Sequence, residues 1–426
     1  MIFLNRVQLL ALIIFCLTYA FIITERLHRL KAAMLGFSLV LLMQLVEQSE
    51  IFSFIDFNTI GLLLGMMILV GILKKTGLIQ HIAAEAVSYS KGNAWILLVF
   101  LASLTAVVSA LIDNVTTVLL VGPIALAVAD VMEINPMPFI FAEIFSSNIG
   151  GTATLIGDPP NLLIGSAAGL TFNEFIINLG PPVALSMIVL FGLLYFWYGN
   201  DLRPKRDGEM SKGEFSVPKK LHDPALTVKV LFVMALVLVG FILHGMLHFE
   251  AATIALAGAT LALIVCPVDV EEILLDVDWV TILFFSMLFM LVGTLEHVGV
   301  IELFATKMFS LFGDHFRALT MILIWASGVA SAVVDNVPYT AAVIPLVKHI
   351  SQLGGYDPRP LWWALALGAC LGGNGTLVGA SANLVMAGVA NKAGIKLDFK
   401  TFLARGMVLM LATLAVSAAY VFWRYL

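Results

Sequence analysis

Two Asp-Asn pairs are the chemistry in an otherwise apolar chain. Asp113-Asn114-Val115 and Asp335-Asn336-Val337 both sit inside hydrophobic segments. An Asp in a membrane-spanning segment costs about 2.5–3.5 kcal/mol on insertion scales, so it marks function by default. Asn114 and Asn336 add an amide with two donors and an acceptor. Thr116 and Thr117 follow the first pair, and Pro338, Tyr339 and Thr340 follow the second. Pro338 breaks a helix where the chain should reverse. Asp and Asn are also good helix N-caps. Capping is compatible with binding, because one helix end can serve both.

Two glycine-rich stretches form the second constellation. The first reads Gly150-Gly151-Thr152-Ala153-Thr154-Leu155-Ile156-Gly157-Asp158-Pro159-Pro160-Asn161. The second reads Gly372-Gly373-Asn374-Gly375-Thr376-Leu377-Val378-Gly379-Ala380-Ser381-Ala382-Asn383. The glycines and Pro159-Pro160 are expected to unwind a helix in mid-membrane. The half-helices starting near Asn161 and Asn383 then point their positive amide ends at the gap. Such a gap suits a small polar or anionic solute, or a cation held by carbonyls. A phosphate-cradling loop is excluded, since there is no Walker lysine and no strand context. The candidate binding residues are Asp113, Asn114, Thr117, Gly151, Thr152, Thr154, Gly157 and Asn161 in the first half. In the second half they are Asp335, Asn336, Gly373, Asn374, Thr376, Gly379, Ser381 and Asn383.

The halves are not identical. Asp158 stands opposite Ala380, Glu143 opposite Leu365 and Thr152 opposite Asn374. Loss of water disfavours a charged carboxyl, so acids beside a solute site in a membrane are natural proton carriers. Asp113, Asp158, Asp335 and Glu143 are the coupling candidates. Glu296 and His297 end a span and are expected at the membrane interface. Cys370, whose repeat partner is Asn148, is expected to be a buried, inert thiol. The three cysteines, Cys16, Cys266 and Cys370, form no CxxC or Cys/His cluster. Neither a metal nor a cofactor is expected.

The elements that must position these residues are apolar. Of 426 residues 61% are hydrophobic and only 12% charged, and mean hydropathy is +1.02. Soluble domains carry about 25% charged residues. Several runs reach the roughly 20 residues that cross a bilayer. No basic patch with interleaved aromatics points to nucleic acid. No nucleophile–base constellation points to an enzyme. Gln8–Thr24 reads as a first span rather than a cleaved signal.

A constant offset of 222 relates the two halves. Asp56 meets Asp278, Ser109 meets Ser331, Pro123 meets Pro345, and Gly150-Gly151 meets Gly372-Gly373. The register runs without a gap over roughly 105 residues, the signature of an internal repeat. The spans of the first half are 8–24, 31–47, 57–75, a broken 136–168, and 177–199, with a re-entrant hairpin at 93–130. Those of the second are 226–245, 250–267, 279–296, a broken 359–391, and 402–424, with a hairpin at 315–350. Stretches near 78–90 and 300–312 read as interfacial connecting helices. The repeats thus cover 1–200 and 226–426, joined by a flexible linker at 201–225.

Five crossings per repeat is odd, so the repeats must be antiparallel, which is the architecture of secondary transporters. Orientation follows the basic residues. The polar stretch Asp201–Lys229 holds Arg203, Lys205, Arg206, Lys212, Lys219, Lys220 and Lys229. With it in the cytoplasm, Arg26–Lys31, Lys74-Lys75, Lys91 and Lys392–Arg405 also fall inside, 17 of the 23 basic residues. Both termini then face outward.

The glycine-rich motifs and the Asp-Asn tips resemble an ion-transporter superfamily over essentially the whole chain. It includes ArsB-type arsenite efflux pumps, NhaD-type sodium/proton antiporters, the melanosomal P protein, plant silicon exporters and divalent-anion/sodium symporters. Asn148–Asn161 and Gly368–Asn383 look most like the P-protein/ArsB branch. The resemblance implies an all-helical polytopic protein of the inner membrane. It implies a scaffold domain, a transport domain moving by an elevator-like displacement, and a solute site at the hairpin tips and broken helices. The symporters carry Ser-Asn-Thr where Asp113-Asn114-Val115 and Asp335-Asn336-Val337 stand, which weakens sodium/dicarboxylate symport here. An ArsB-like member implies proton-coupled efflux of arsenite or antimonite and a soluble ATPase partner. Sodium/proton antiport and chloride transport of the P-protein type are the alternatives. Arsenite is an uncharged trihydroxide at neutral pH, which Asn, Thr and backbone groups suit. Oligomeric state is left open.

Overall fold

The computed structural model describes residues 4–24, 26–90, 92–202, 223–312 and 315–426. Among them every regular element is a helix. The first half contains α1 (Arg6–Ile23), α2 (Arg29–Leu42), a short α3 (Gln48–Ile51) running into a 3₁₀ turn (Phe52–Phe54), and α4 (Phe57–Lys75). It continues with α5 (Leu78–Ser90), α6 (Ala94–Ser109), α7 (Asn114–Val131), α8 (Met137–Gly151), α9 (Pro159–Ala168) and α10 (Phe172–Tyr198). The second half contains α11 (Pro224–Leu247), α12 (Ala251–Val265), α13 (Val270–Leu275), α14 (Trp279–His297) and α15 (Val300–Phe312). It ends with α16 (Phe316–Val333), α17 (Asn336–Gly354), α18 (Arg359–Gly372), α19 (Ser381–Lys392) and α20 (Phe399–Tyr425).

The repeat is visible in these bounds. α4 and α14 begin and end 222 residues apart, as do α5 and α15. Eight of the described helices are long and apolar enough to span a bilayer. Exposed Leu, Ile, Val and Phe cover the outer faces of α1, α11 and α10, as expected of helices solvated by lipid.

Packing crosses between the halves. α2 packs on α14 and, by the same relation, α12 packs on α4. These four, with α1 and α11, form one bundle. α6, α7 and α8 pack together, α16 packs on α18, and α7 and α17 cross to α19 and α9 of the opposite repeat. These helices, with α10 and α20, form the second bundle. The fold is therefore two inverted repeats with interleaved scaffold and transport bundles.

Close approach explains several glycines. A Cβ on Gly150 would lie 2.2 Å from the Ala106 carbonyl oxygen of α6, and one on Gly65 would lie 2.6 Å from the Ala255 backbone of α12. Small residues let membrane helices pack backbone to backbone.

Some boundaries differ from the sequence expectation. α3, the 3₁₀ turn and α13 are too short for a hydropathy reading to find. Arg29 and Lys31, counted with a loop, lie on the first turn of α2, and Lys229, counted with the linker, lies on α11 with Nζ donating to the Val265 carbonyl at 3.1 Å. The linker basics Arg203, Lys205, Arg206, Lys212, Lys219 and Lys220 lie outside the described residues, as does Lys91.

Candidate functional site

The hairpins turn at the two Asp residues, and each Asp caps the helix that leaves the turn. Asp113 accepts from the Thr116 N–H at 2.8 Å, and Asp335 accepts from the Val337 N–H at 3.1 Å. Each cap satisfies an orphan donor of the first turn.

The broken helices are tied in the same way twice. Thr154 Oγ1 donates to the Ala110 carbonyl and Thr376 Oγ1 to the Ala332 carbonyl, both at 2.5 Å. These bonds fix each break to its own hairpin. Asn161 donates to the carbonyls of Thr152 and Thr154 at 3.0 and 2.8 Å. Asn383 donates to those of Gly373 and Thr376, both at 2.8 Å. The two amides thus replace the helical hydrogen bonds that the breaks leave open. A Cβ on Gly157 would lie 2.6 Å from the carbonyl oxygens of both Gly151 and Ser109, and one on Gly379 would lie 2.7 Å from that of Gly373. Only glycine fits there.

A buried polar seam joins the breaks across the pseudo-twofold axis. Asn148 donates to Asn383 at 2.9 Å and to Asn374 at 3.0 Å. Its repeat partner Cys370 lies 3.5 Å from Asn161 Oδ1. The thiol is fully buried, as expected.

Beside this seam lies a cavity of about 450 Å³, between the scaffold helices α2, α4 and α14 and the tips of the transport bundle. Asp113, Asn114, Thr116, Asp158, Asn336 and Ser381 line it from the transport side. Arg29, Lys74, Asp276, Asp278, Thr281 and Phe284 line it from the scaffold side. The N-terminal ends of α7, α9, α17 and α19 all meet here, so four positive helix ends surround the cavity.

The two tips are wired differently. Asn336 crosses the axis and donates to both carboxylate oxygens of Asp158 at 3.2 Å. Asn114 stays within its own repeat, its amide nitrogen donating to the carbonyls of Gly157 (3.0 Å) and Ser147 (3.2 Å). Asp335 accepts from Ser381 Oγ at 2.8 Å and pairs with Arg29 at 3.7 Å. Arg29 also donates to Ser381 Oγ at 2.9 Å and Thr281 Oγ1 at 3.1 Å, and stacks 5.4 Å from the Phe284 ring centroid. Among the described residues neither Asp113 nor Asp158 has an ion-pair partner.

The structure brings Asp113, Asn114, Asp158, Asn336 and Ser381 to the cavity wall, with Asp335 reaching it through Arg29 and Ser381. Thr117, Gly151, Thr152, Thr154, Gly157, Asn161, Gly373, Asn374, Thr376, Gly379 and Asn383 lie behind that wall and shape it. Glu143 is apart: it is buried between α6 and α8, takes a hydrogen bond from Thr105, and leaves Oε1 without a partner among the described residues. Sequence reasoning missed Arg29. Its one signal was a cation on the first turn of an apolar helix, and its repeat partner is Ala251.

The chain matches the citrate transporter family over residues 19–368. It is 38% identical to an uncharacterized transporter of Mycobacterium tuberculosis, over 98% of this chain and 99% of that one. It is 37% identical to a 46 kDa membrane protein of Mycobacterium leprae at the same coverage. It is 33% identical to the mouse P protein over 94% of this chain but 58% of the relative. The crystal structure of the Alcanivorax borkumensis YdaH transporter shares the fold, with a TM-score of 0.65, 15% identity and 98% of both chains covered. The chain therefore belongs to the citrate transporter family of the ion-transporter superfamily.

Proposed function

We propose that the chain is a proton-coupled secondary transporter of a small oxygen-rich solute, with Asp158 and Asp113 carrying the protons. The carrying observation is the pair of carboxyls on the cavity wall, neither of which has an ion-pair partner among the described residues. A carboxylate away from water needs a cation or a proton beside it. Asn336 presents donors to Asp158, and Thr116 presents one to Asp113. Both acids can therefore alternate between charged and neutral forms as solute comes and goes. Arsenite or antimonite exchange for protons is the specific form that the sequence suggests, and the neutral amides and hydroxyls at the tips suit a trihydroxide. Efflux would run across the inner membrane, with residues 201–225 in the cytoplasm and both termini outside.

A second reading is favoured by Arg29 and the α19 end. Ser381 and Ala382 line the cavity at a helix start that no side chain caps. A guanidinium beside free backbone donors suits a carboxylate anion, and the family description names citrate. Sodium/proton antiport would instead place the cation on Asp113 and Asp335.

Reconstituted protein, an imposed pH gradient and separate arsenite, citrate, sodium and chloride fluxes distinguish these readings. Arsenite movement with an opposing proton signal is the expected result. Sodium movement alone would sink the arsenite form. Asp113→Asn and Asp335→Asn should each abolish coupled transport while leaving a folded, monodisperse protein. Wild-type coupling in either variant would refute that acid's role.

A further inference from the structure

A second cavity, of about 500 Å³, lies at the opposite ends of the scaffold helices α4 and α14. Phe289, Val292, Gly293, Ala341 and Pro345 line it, and these are the repeat partners of Met67, Val70, Gly71, Leu119 and Pro123. The first cavity sits at the C-terminal end of α4, beside Lys74. The second sits at its N-terminal end, beside Asp56. Lys74 at the outer end of the first cavity and Asp56 at that of the second are about 27 Å apart along the α4 axis, close to the thickness of a hydrocarbon core.

The ion pairs at the two mouths obey the same offset but differ in chemistry. At the first, Lys75 pairs with Glu272, and Lys74 with Asp276 at 3.8 Å. The repeat partners of Lys75 and Glu272 are His297 and Glu50, and they pair at 3.3 Å. Glu296 stands where the first half has Lys74, and it meets His349 of α17 at 3.9 Å. One mouth is thus tied by lysines and the other by histidines, the side-chain type that serves as a proton switch near neutral pH. The His349–Glu296 contact joins the transport helix α17 to the scaffold helix α14 beside the cavity. Other charges on the packed elements are Arg6 on α1, Arg29 and Lys31 on α2, Glu302 and Lys307 on α15, Arg317 on α16 and Arg359 on α18. Lys74 and Lys75 stand at the far end of α4. Asp56 and Lys348 stand in the cavity itself. Among the described residues, Arg29, Lys74 and Lys75 alone of these form ion pairs, all at the first cavity.

We propose that the second cavity is the opening of the transport route on the opposite face, and that its two histidine–carboxylate pairs are the proton-exchange site of that opening. Each imidazole takes a proton from water on that side and becomes an imidazolium held by Glu50 or Glu296. Protonated pairs draw the mouth together, and loss of the protons frees it. The proposal builds on the first cavity as solute site, but its chemistry is independent of Asp158.

The test measures thiol labelling rather than flux, so it stands even if the coupling reading fails. Ala341→Cys and its repeat partner Leu119→Cys are labelled in sealed vesicles with a membrane-impermeant maleimide. The two cysteines should label from opposite faces. The Ala341→Cys rate, divided by the Leu119→Cys rate to cancel the reagent's own pH dependence, should fall about three- to tenfold from pH 8 to 5.5, the size two partly exposed ion pairs allow. His349→Gln should hold the ratio at its high-pH value. His297→Lys, which installs the first mouth's residue, should weaken the pH dependence, and Lys75→His should create one at Leu119→Cys. Repeating the measurement with Asp158→Asn should change none of this. Labelling of both cysteines from one face would overturn the proposal, as would a ratio indifferent to pH or to His349→Gln.

Discussion

The first tip is a free acid and the second is a clamped one. Asp113 and Asp335 are repeat partners, and each caps the helix that follows it, Asp113 through the Thr116 N–H and Asp335 through that of Val337. Yet Asp335 is held by Ser381 and Arg29, while the positions corresponding to those partners are Pro159 and Ala251. The reverse holds at the breaks, where Asp158 is acidic and its partner Ala380 is not. Each half therefore lacks what the other has. The backbone of the site is duplicated, but its charge is not. Symmetry builds the frame, and its side-chain exceptions set the charge of the cavity.

The largest effect that would break this comparison is at Asp158. Asp158→Asn should reduce proton-coupled transport about 100-fold or more, equivalent to ~2.7 kcal/mol, with an unchanged elution profile. Ala380→Asp should not restore it, because no tip amide of the first repeat crosses to that position. Restoration would show that the two halves are interchangeable after all. Next comes the shared frame. Gly157→Ala and Gly379→Ala each force a Cβ against backbone oxygen, and each should cost about 1–3 kcal/mol, read as a lowered Tm in detergent. Gly157, with two oxygens at 2.6 Å, should suffer more. Arg29→Gln should lower transport about three- to tenfold by releasing Asp335, and Arg29→Lys should recover part of it as a point charge without the fork. Equal loss in both would assign Arg29 to shape rather than charge. The smallest effect is a symmetric control. Thr154→Val and Thr376→Val each delete one tie to a hairpin carbonyl, so they should cost the same, about 1 kcal/mol, in thermal denaturation.

Much of the fold was legible because its signals are local. The spans follow from hydropathy, the breaks from glycine and proline, and the repeat from side chains that recur at one offset. Asp113, Asp158 and Asp335 were found because an acid in an apolar run is conspicuous. The division of labour within the site was not legible. Asn161 and Asn383 satisfy the backbone of their own breaks, and nothing in the sequence separates that role from ligand binding. Arg29 was counted as one more basic residue near a membrane surface. Its reach to Ser381 and Asp335 spans over 300 positions of sequence and has no counterpart in the other repeat, so no pattern pointed to it. Glu143 shows the opposite error of scale, for it is conspicuous by type but lies with Thr105 behind the site.

The interleaved packing also bears on how the protein is made. α4 meets its main partner α12, and α14 meets α2, only when both halves are present. Asp158 waits for Asn336 in the same way. A nascent first repeat therefore enters the bilayer with its scaffold face bare and Asp158 without its Asn336 donor, and it stays an unfinished half until the second repeat has been inserted. Biogenesis is then a two-part assembly, in which separately expressed halves should find each other in the membrane and a truncated chain should be recognised as incomplete.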